Sequence, residues 1–175
     1  MISSIITEDN EIIRHGLKNA LEETKVTKVI GDYASLGEML PHLKSLKPDV
    51  VILGGIGSLA ERCLACNDIR ELSPDTRILT LTERHQDDEL REIILSGAAG
   101  CVLTSAGKAE IARSVGIVAC GGFSFECHAL VRLMERVPKQ EPSDKPAALD
   151  DLTERERVIC PWLAKVAATK KSDNN

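Results

Sequence analysis

Short apolar runs alternate with amphipathic stretches from Ile2 to Ala119. The runs Ser4 to Thr7, Val26 to Gly31, Val50 to Leu53, Ile78 to Leu81 and Cys101 to Leu103 are predicted as strands. Between them apolar residues recur every three or four positions, which gathers them on one face of a helix. The helices so predicted are Asn10 to Glu23, with Ile12, Ile13, Leu17, Ala20 and Leu21 on one side, then Ser35 to Leu46, Leu59 to Leu72, Asp87 to Ser96 and Lys108 to Ala119.

A strand followed by a helix, repeated five times, calls for a five-stranded parallel sheet covered on both faces. Each parallel return needs a crossover, and the right-handed rule sets its hand. The expected class is therefore α/β, doubly wound. In such sheets the ligand site lies beyond the carboxyl ends of the strands, where strand order reverses. The residues to question are those just after each strand: Glu8 and Asp9, Gly54 and Gly55, Thr82 and Glu83, and Thr104 and Ser105.

Past Gly121 and Gly122 a short helix is predicted from about Glu126 to Arg136. VPKQEPSDKPAALDD follows, with three prolines and little apolar material, and reads as a linker over 136–151. A last helix begins near Thr153, where Thr153 and Glu156 form a capping-box pattern, and Pro161 should end or kink it near Cys160. The tail KKSDNN reads as disordered.

With 175 residues, 43% hydrophobic and 28% charged, the chain has room for one ordinary domain and a small appendage. Its formal charge of −5 argues against a general nucleic-acid binder, which needs surplus Lys and Arg against phosphate. No apolar run approaches the length of a membrane helix, and MISSIITEDN lacks the basic start of a secretory signal. A cytoplasmic location without membrane contact is expected, with the six cysteines as thiols.

The segments IITEDNEIIRHGL, KPDVVILG, SPDTRILTLT, SGAAGCVLT and VACGGFSF together resemble the receiver domain of a two-component response regulator of the NarL/LuxR type, over residues 1–135. LTERERVICPWLA is similar to the opening helix of a LuxR-type helix-turn-helix domain, which residues 152–175 would leave incomplete. The resemblance implies a flavodoxin-like fold. It also implies a Mg²⁺ site built from an acidic pair after strand one and an aspartate after strand three. That aspartate accepts a phosphoryl group, while a hydroxyl after strand four and a lysine after strand five hold the phosphoryl oxygens. An aromatic residue three positions before the lysine reports the change.

Carried over position by position, Glu8 and Asp9 match the acidic pair and Thr82 the hydroxyl, whereas Gly54 stands at the acceptor, Thr104 at the lysine and Cys101 at the aromatic residue. Glycine has no side-chain nucleophile and threonine no positive charge. The receiver is thus expected to be degenerate, without aspartyl phosphorylation at the usual place. Asp49 lies roughly 16 Å away at the far end of its strand and offers no substitute. Glu8 and Asp9 alone would bind Mg²⁺ weakly, most remaining ligands being water, and they read as a solvated loop and helix cap. GGIGS is permissive in backbone angle and offers amides that an anion could use, yet its spacing matches neither common phosphate-binding pattern.

Cys63 and Cys66 share a face of the third helix, a possible thiol site. Zinc or an iron–sulfur cluster would need further ligands from Cys101, Cys120, Cys127 or His128. The fold is expected to hold Cys101 away from that helix, leaving the cysteines as small buried residues. His15, His42 and His85 stand singly and read as surface residues, and no catalytic set suggests an enzyme.

The expected function is signalling in transcription regulation through phosphorylation-independent protein contacts, either a homodimer or a partner protein. One alternative is a small-molecule, redox or metal sensor on the same scaffold. Another is a DNA-binding transcriptional regulator truncated in this chain, because residues 152–175 carry five basic and three acidic side chains, too little for DNA binding by this stretch alone.

Overall fold

A computed structural model describes residues 1–55, 57–83 and 87–125. The chain divides into two compact units, Met1–Val137 and Pro138–Asn175, and every described residue belongs to the first. The helix expected from Glu126, the linker and the last helix lie outside the described residues.

Ten elements alternate: β1 (Ile2–Thr7), α1 (Glu11–Glu23), β2 (Thr27–Tyr33), α2 (Leu36–Leu46), β3 (Val50–Leu53), α3 (Leu59–Leu72), β4 (Arg77–Thr82), α4 (Asp87–Leu95), β5 (Gly100–Leu103) and α5 (Lys108–Ala119). All strand pairs are parallel, in the order β2-β1-β3-β4-β5. This is the flavodoxin-like order, and its direction reverses between β1 and β3. The expected five-stranded, doubly wound sheet is therefore present.

Period-two alternation divides the core. Ile5, Val51, Leu53, Ile78 and Cys101 pack with Met39 and Leu43 of α2, Ala65, Cys66 and Ile69 of α3 and Leu90 and Ile93 of α4. Ile6, Val50, Ile52, Leu79 and Val102 pack with Leu17 and Leu21 of α1 and with Ile111, Val115 and Val118 of α5. All four residues of β3 have no exposed surface, which is why that strand is an unbroken apolar run.

Local chemistry sets the helix starts. The Asn10 side chain accepts from the N–H groups of Ile12 and Ile13, and Ser35 accepts from Glu38. Ser58 and Glu61 form a reciprocal capping box at α3. β1 and β2 are longer than their apolar runs, extending to Ile2 and Tyr33. The register slips between Ser4 and Ile5, leaving Ile30 as the extra residue of a bulge. Beyond α5 the chain returns along the edge of β5: Cys101 N–H donates to Ser124 O at 2.9 Å, and Ser124 N–H to Ala99 O at 3.0 Å. That pairing covers an otherwise open sheet edge. Among the described residues no helix is long and apolar enough to cross a membrane.

Candidate functional site at the carboxyl edge of the sheet

The reversal between β1 and β3 brings Glu8 and Gly54 side by side, each directly after its strand. Gly54 N–H continues the ladder by donating to Thr7 O at 2.7 Å. Glu8 is only 2% exposed. Its Oε2 accepts from Gly55 N–H at 2.6 Å and its Oε1 from Asn10 N–H at 3.1 Å, so one carboxylate ties the end of β1 to the approach of α1 and to the loop after β3. Arg14 Nη1 donates to the Glu8 backbone oxygen at 2.6 Å. Burial pushes the Glu8 carboxyl above its ordinary value, the two backbone N–H groups oppose that, and neighbouring Asp9 adds to it.

These contacts correct the expectation of a solvated loop and cap. Glu8 is buried and hydrogen-bonded, Asp9 is exposed, and the cap of α1 is Asn10.

The glycines answer to the same carboxylates. A Cβ on Gly54 would run into Glu8 Oε2 and lie 3.0 Å from Glu8 Cδ and 3.1 Å from Glu8 Cβ. On Gly55 it would lie 2.7 Å from Glu8 Oε1 and 2.9 Å from Asp9 Oδ1. Gly57 has a φ of +48°, and a Cβ there would meet Glu61 Oε2, the oxygen that accepts from Ser58 N–H at 2.6 Å. The amides of Gly55 and Ser58, candidates for an external anion, are thus already taken by the protein's own carboxylates.

Across the edge, Thr82 ends β4 and Thr104 follows β5, joined where Thr104 N–H donates to Thr82 O at 2.8 Å. Thr82 is buried and Thr104 exposed. Glu8, Asp9 and Gly55 on one side and Thr82, Glu83 and Thr104 on the other line a cavity of about 620 Å³. Arg62 of α3 and Glu89 of α4 also line it, with Arg62 Nη2 donating to Glu89 Oε1 at 3.3 Å. Among the described residues, Arg62 Nε is buried without a hydrogen-bond partner. Asp49 lies at the opposite end of β3, where the N–H and hydroxyl of Ser3 each donate to it at 2.7 Å.

Cys101 is buried against the α2–α4 face, in the same core cluster as Cys66. That face of the sheet is covered by α2, α3 and α4, and α4 is the helix that packs on β5. Burial pushes the Cys66 thiol up to about 11 and also raises that of Cys101. Cys63 is half-buried and Cys120 exposed. Among the described residues no three His, Cys, Asp or Glu side chains are grouped to hold a metal ion. His15 and His42 are exposed, His42 stacking on Tyr33 at 5.6 Å, while His85, Cys127 and His128 lie outside the described residues.

The sequence reading missed three features. The Ser58–Glu61 box had a local signal, Ser-x-x-Glu ahead of an apolar run. The Arg62–Glu89 pair and the anchoring of Glu8 had none, because their partners are distant in sequence.

The fold places the chain among the flavodoxin-like α/β proteins. Residues 5–115 match the model of the response regulator receiver domain, and the chain belongs to that family. It is 28% identical over 171 residues to the DNA-binding transcriptional activator DevR/DosR of Mycobacterium tuberculosis, covering 98% of this chain and 78% of that protein. It is 26% identical over 164 residues to the response regulator protein VraR of Staphylococcus aureus, covering 94% and 76%. The isolated receiver domain of RcsB from Salmonella enterica serovar Typhimurium superposes with a TM-score of 0.70 at 20% identity, over 78% of this chain and 100% of that one, a likeness of fold.

Proposed function

We propose that this chain is a response-regulator protein of transcription regulation that works without aspartyl phosphorylation, through contacts of its receiver with a second copy or another protein. The observation that carries this reading is Gly54. It directly follows β3, beside Glu8, where the resemblance puts the acceptor, and it has no side-chain oxygen to attack a phosphodonor. The intact sheet and its two cores support a scaffold role, and the activator DevR/DosR supports the link to transcription.

We read the site as one without resident Mg²⁺. Both Glu8 oxygens accept backbone N–H groups, residue 54 offers no side-chain oxygen, and Mg²⁺ demands a near-octahedral set of hard oxygen ligands. A thiol sensor has less support, since a Cys66 thiol pushed up to about 11 has little reactive thiolate near neutral pH. A DNA-binding reading rests on residues beyond 125, outside the described ones.

Intact-mass measurement after incubation with acetyl phosphate and Mg²⁺ tests the proposal. The mass is expected to stay unchanged, and a stoichiometric phosphoryl adduct would sink the reading.

A further inference from the structure

We propose that Glu8 is the built-in occupant of the acceptor position: its carboxylate fills the space that a side chain on residue 54 would need, so the site is closed from within. This rests on Gly54 being the acceptor position, as read above, and adds what has taken its place.

Three observations carry it. The first is exclusion. A Cβ on Gly54 cannot coexist with Glu8 Oε2, and the crowding extends to Glu8 Cδ and Cβ at 3.0 and 3.1 Å. The contact with the far end of the side chain is relieved by a change of rotamer, but the one with Glu8 Cβ at 3.1 Å also asks that neighbour to give by a few tenths of an ångström.

The second is anchoring. Glu8 is buried, and its two oxygens accept from Gly55 N–H at 2.6 Å and Asn10 N–H at 3.1 Å. Swinging the carboxylate aside strips both amides of their acceptor, and a part-buried charge-assisted bond is costly to break.

The third is charge. An aspartate on residue 54 would set a third carboxylate against Glu8 and Asp9, whose side-chain oxygens already flank Gly55, and carboxylates sharing a site oppose one another's ionisation. Glu8 in its present position and a side chain at 54 therefore compete for one space. With Glu8 installed, the loop after β3 is tied to the start of α1 with no ligand or modification.

The test is a double-mutant cycle on the full chain: wild type, Glu8→Ala, Gly54→Asp and the double variant, followed by urea unfolding. Gly54→Asp is expected to lower the midpoint at least about twofold more when Glu8 is present than in the Glu8→Ala background, since residues in contact are non-additive. Should Gly54→Asp fail to fold alone, recovery of folding in the double variant is the expected sign of the same coupling. Gly54→Ala in both backgrounds gives a milder cycle that reads the overlap without the added charge. Equal penalties in the two backgrounds, in either cycle, would overturn the proposal. That result would leave the phosphorylation-independent reading standing, whereas an acetyl-phosphate adduct on the wild type would sink that reading and leave the coupling intact.

Discussion

The two sides of the sheet's carboxyl edge are built in opposite ways. Beside β1 and β3, the space over each of three glycines is used by a carboxylate from the same chain: Glu8 over Gly54, Glu8 and Asp9 over Gly55, and Glu61 over Gly57. The loop amides of Gly55 and Ser58 find acceptors in those same side chains. Beside β4 and β5, Thr82 and Thr104 face a cavity of about 620 Å³, and Thr104 is exposed. The space over the glycines is filled by neighbouring side chains, whereas Thr104 is open to solvent. The difference should show in what a substitution at each position costs.

Gly55→Ala should give the largest contrast. Its new Cβ would press on two carboxylate oxygens at 2.7 and 2.9 Å, and overpacking of this kind costs about 1–3 kcal/mol. Thr104→Ala, at an exposed position lining the cavity, should stay within about 0.5 kcal/mol of wild type. Urea denaturation of the two variants side by side measures both, and equal losses would erase the distinction between a filled position and an open one.

A smaller effect separates Glu8 from the acids outside the pocket, because opposing causes partly cancel in its pKa. Burial holds the Glu8 carboxyl above its ordinary 4.5, while two backbone N–H groups pull it down. The native state therefore binds this proton more readily than the unfolded chain. The resulting stability is fully present below about 4.5 and is lost as pH rises through the higher native value. Asp49 has the opposite sign. The N–H and hydroxyl of Ser3 hold it below its ordinary 3.8, so its contribution is present above that value and lost as pH falls through the native one. Thermal unfolding scanned across mildly acidic pH should show the Glu8-linked decline in wild type and a flatter profile in Glu8→Gln, with the Asp49 loss at lower pH retained in both. An unchanged upper slope in Glu8→Gln would mean that the buried carboxylate does not set it.

Most of the fold was legible because it is written in local periodicity. The unbroken VVIL of β3 signals a strand covered on both faces, and helix spacing with terminal caps marks the crossovers. The location of the site followed from topology alone. Its content did not. Acidic residues are rarely fully buried unless paired, so Glu8 read as solvated, and the group that reverses this, Gly55 N–H, lies 47 residues along the chain. Arg62 meets Glu89 across 27 residues. The misreadings are long-range pairings, which no window of neighbouring residues contains.

Glycines away from the edge supply the control for the crowded ones. Gly16 lies in α1, and a Cβ there would meet nothing within 4 Å among the described residues beyond its own turn of helix. Its φ is not in the left-handed region, so alanine adopts its backbone without strain and reduces the entropy of the unfolded chain. Gly16→Ala should accordingly stabilise the protein by about 0.5–1 kcal/mol, the helix-interior difference between the two residues. The same methyl group that Gly55 rejects should thus be welcome on Gly16. A rise in the urea midpoint for Gly16→Ala beside a fall for Gly55→Ala would assign the cost at the edge to the carboxylates that occupy it. A fall in both would instead mean that each glycine is required for its backbone freedom.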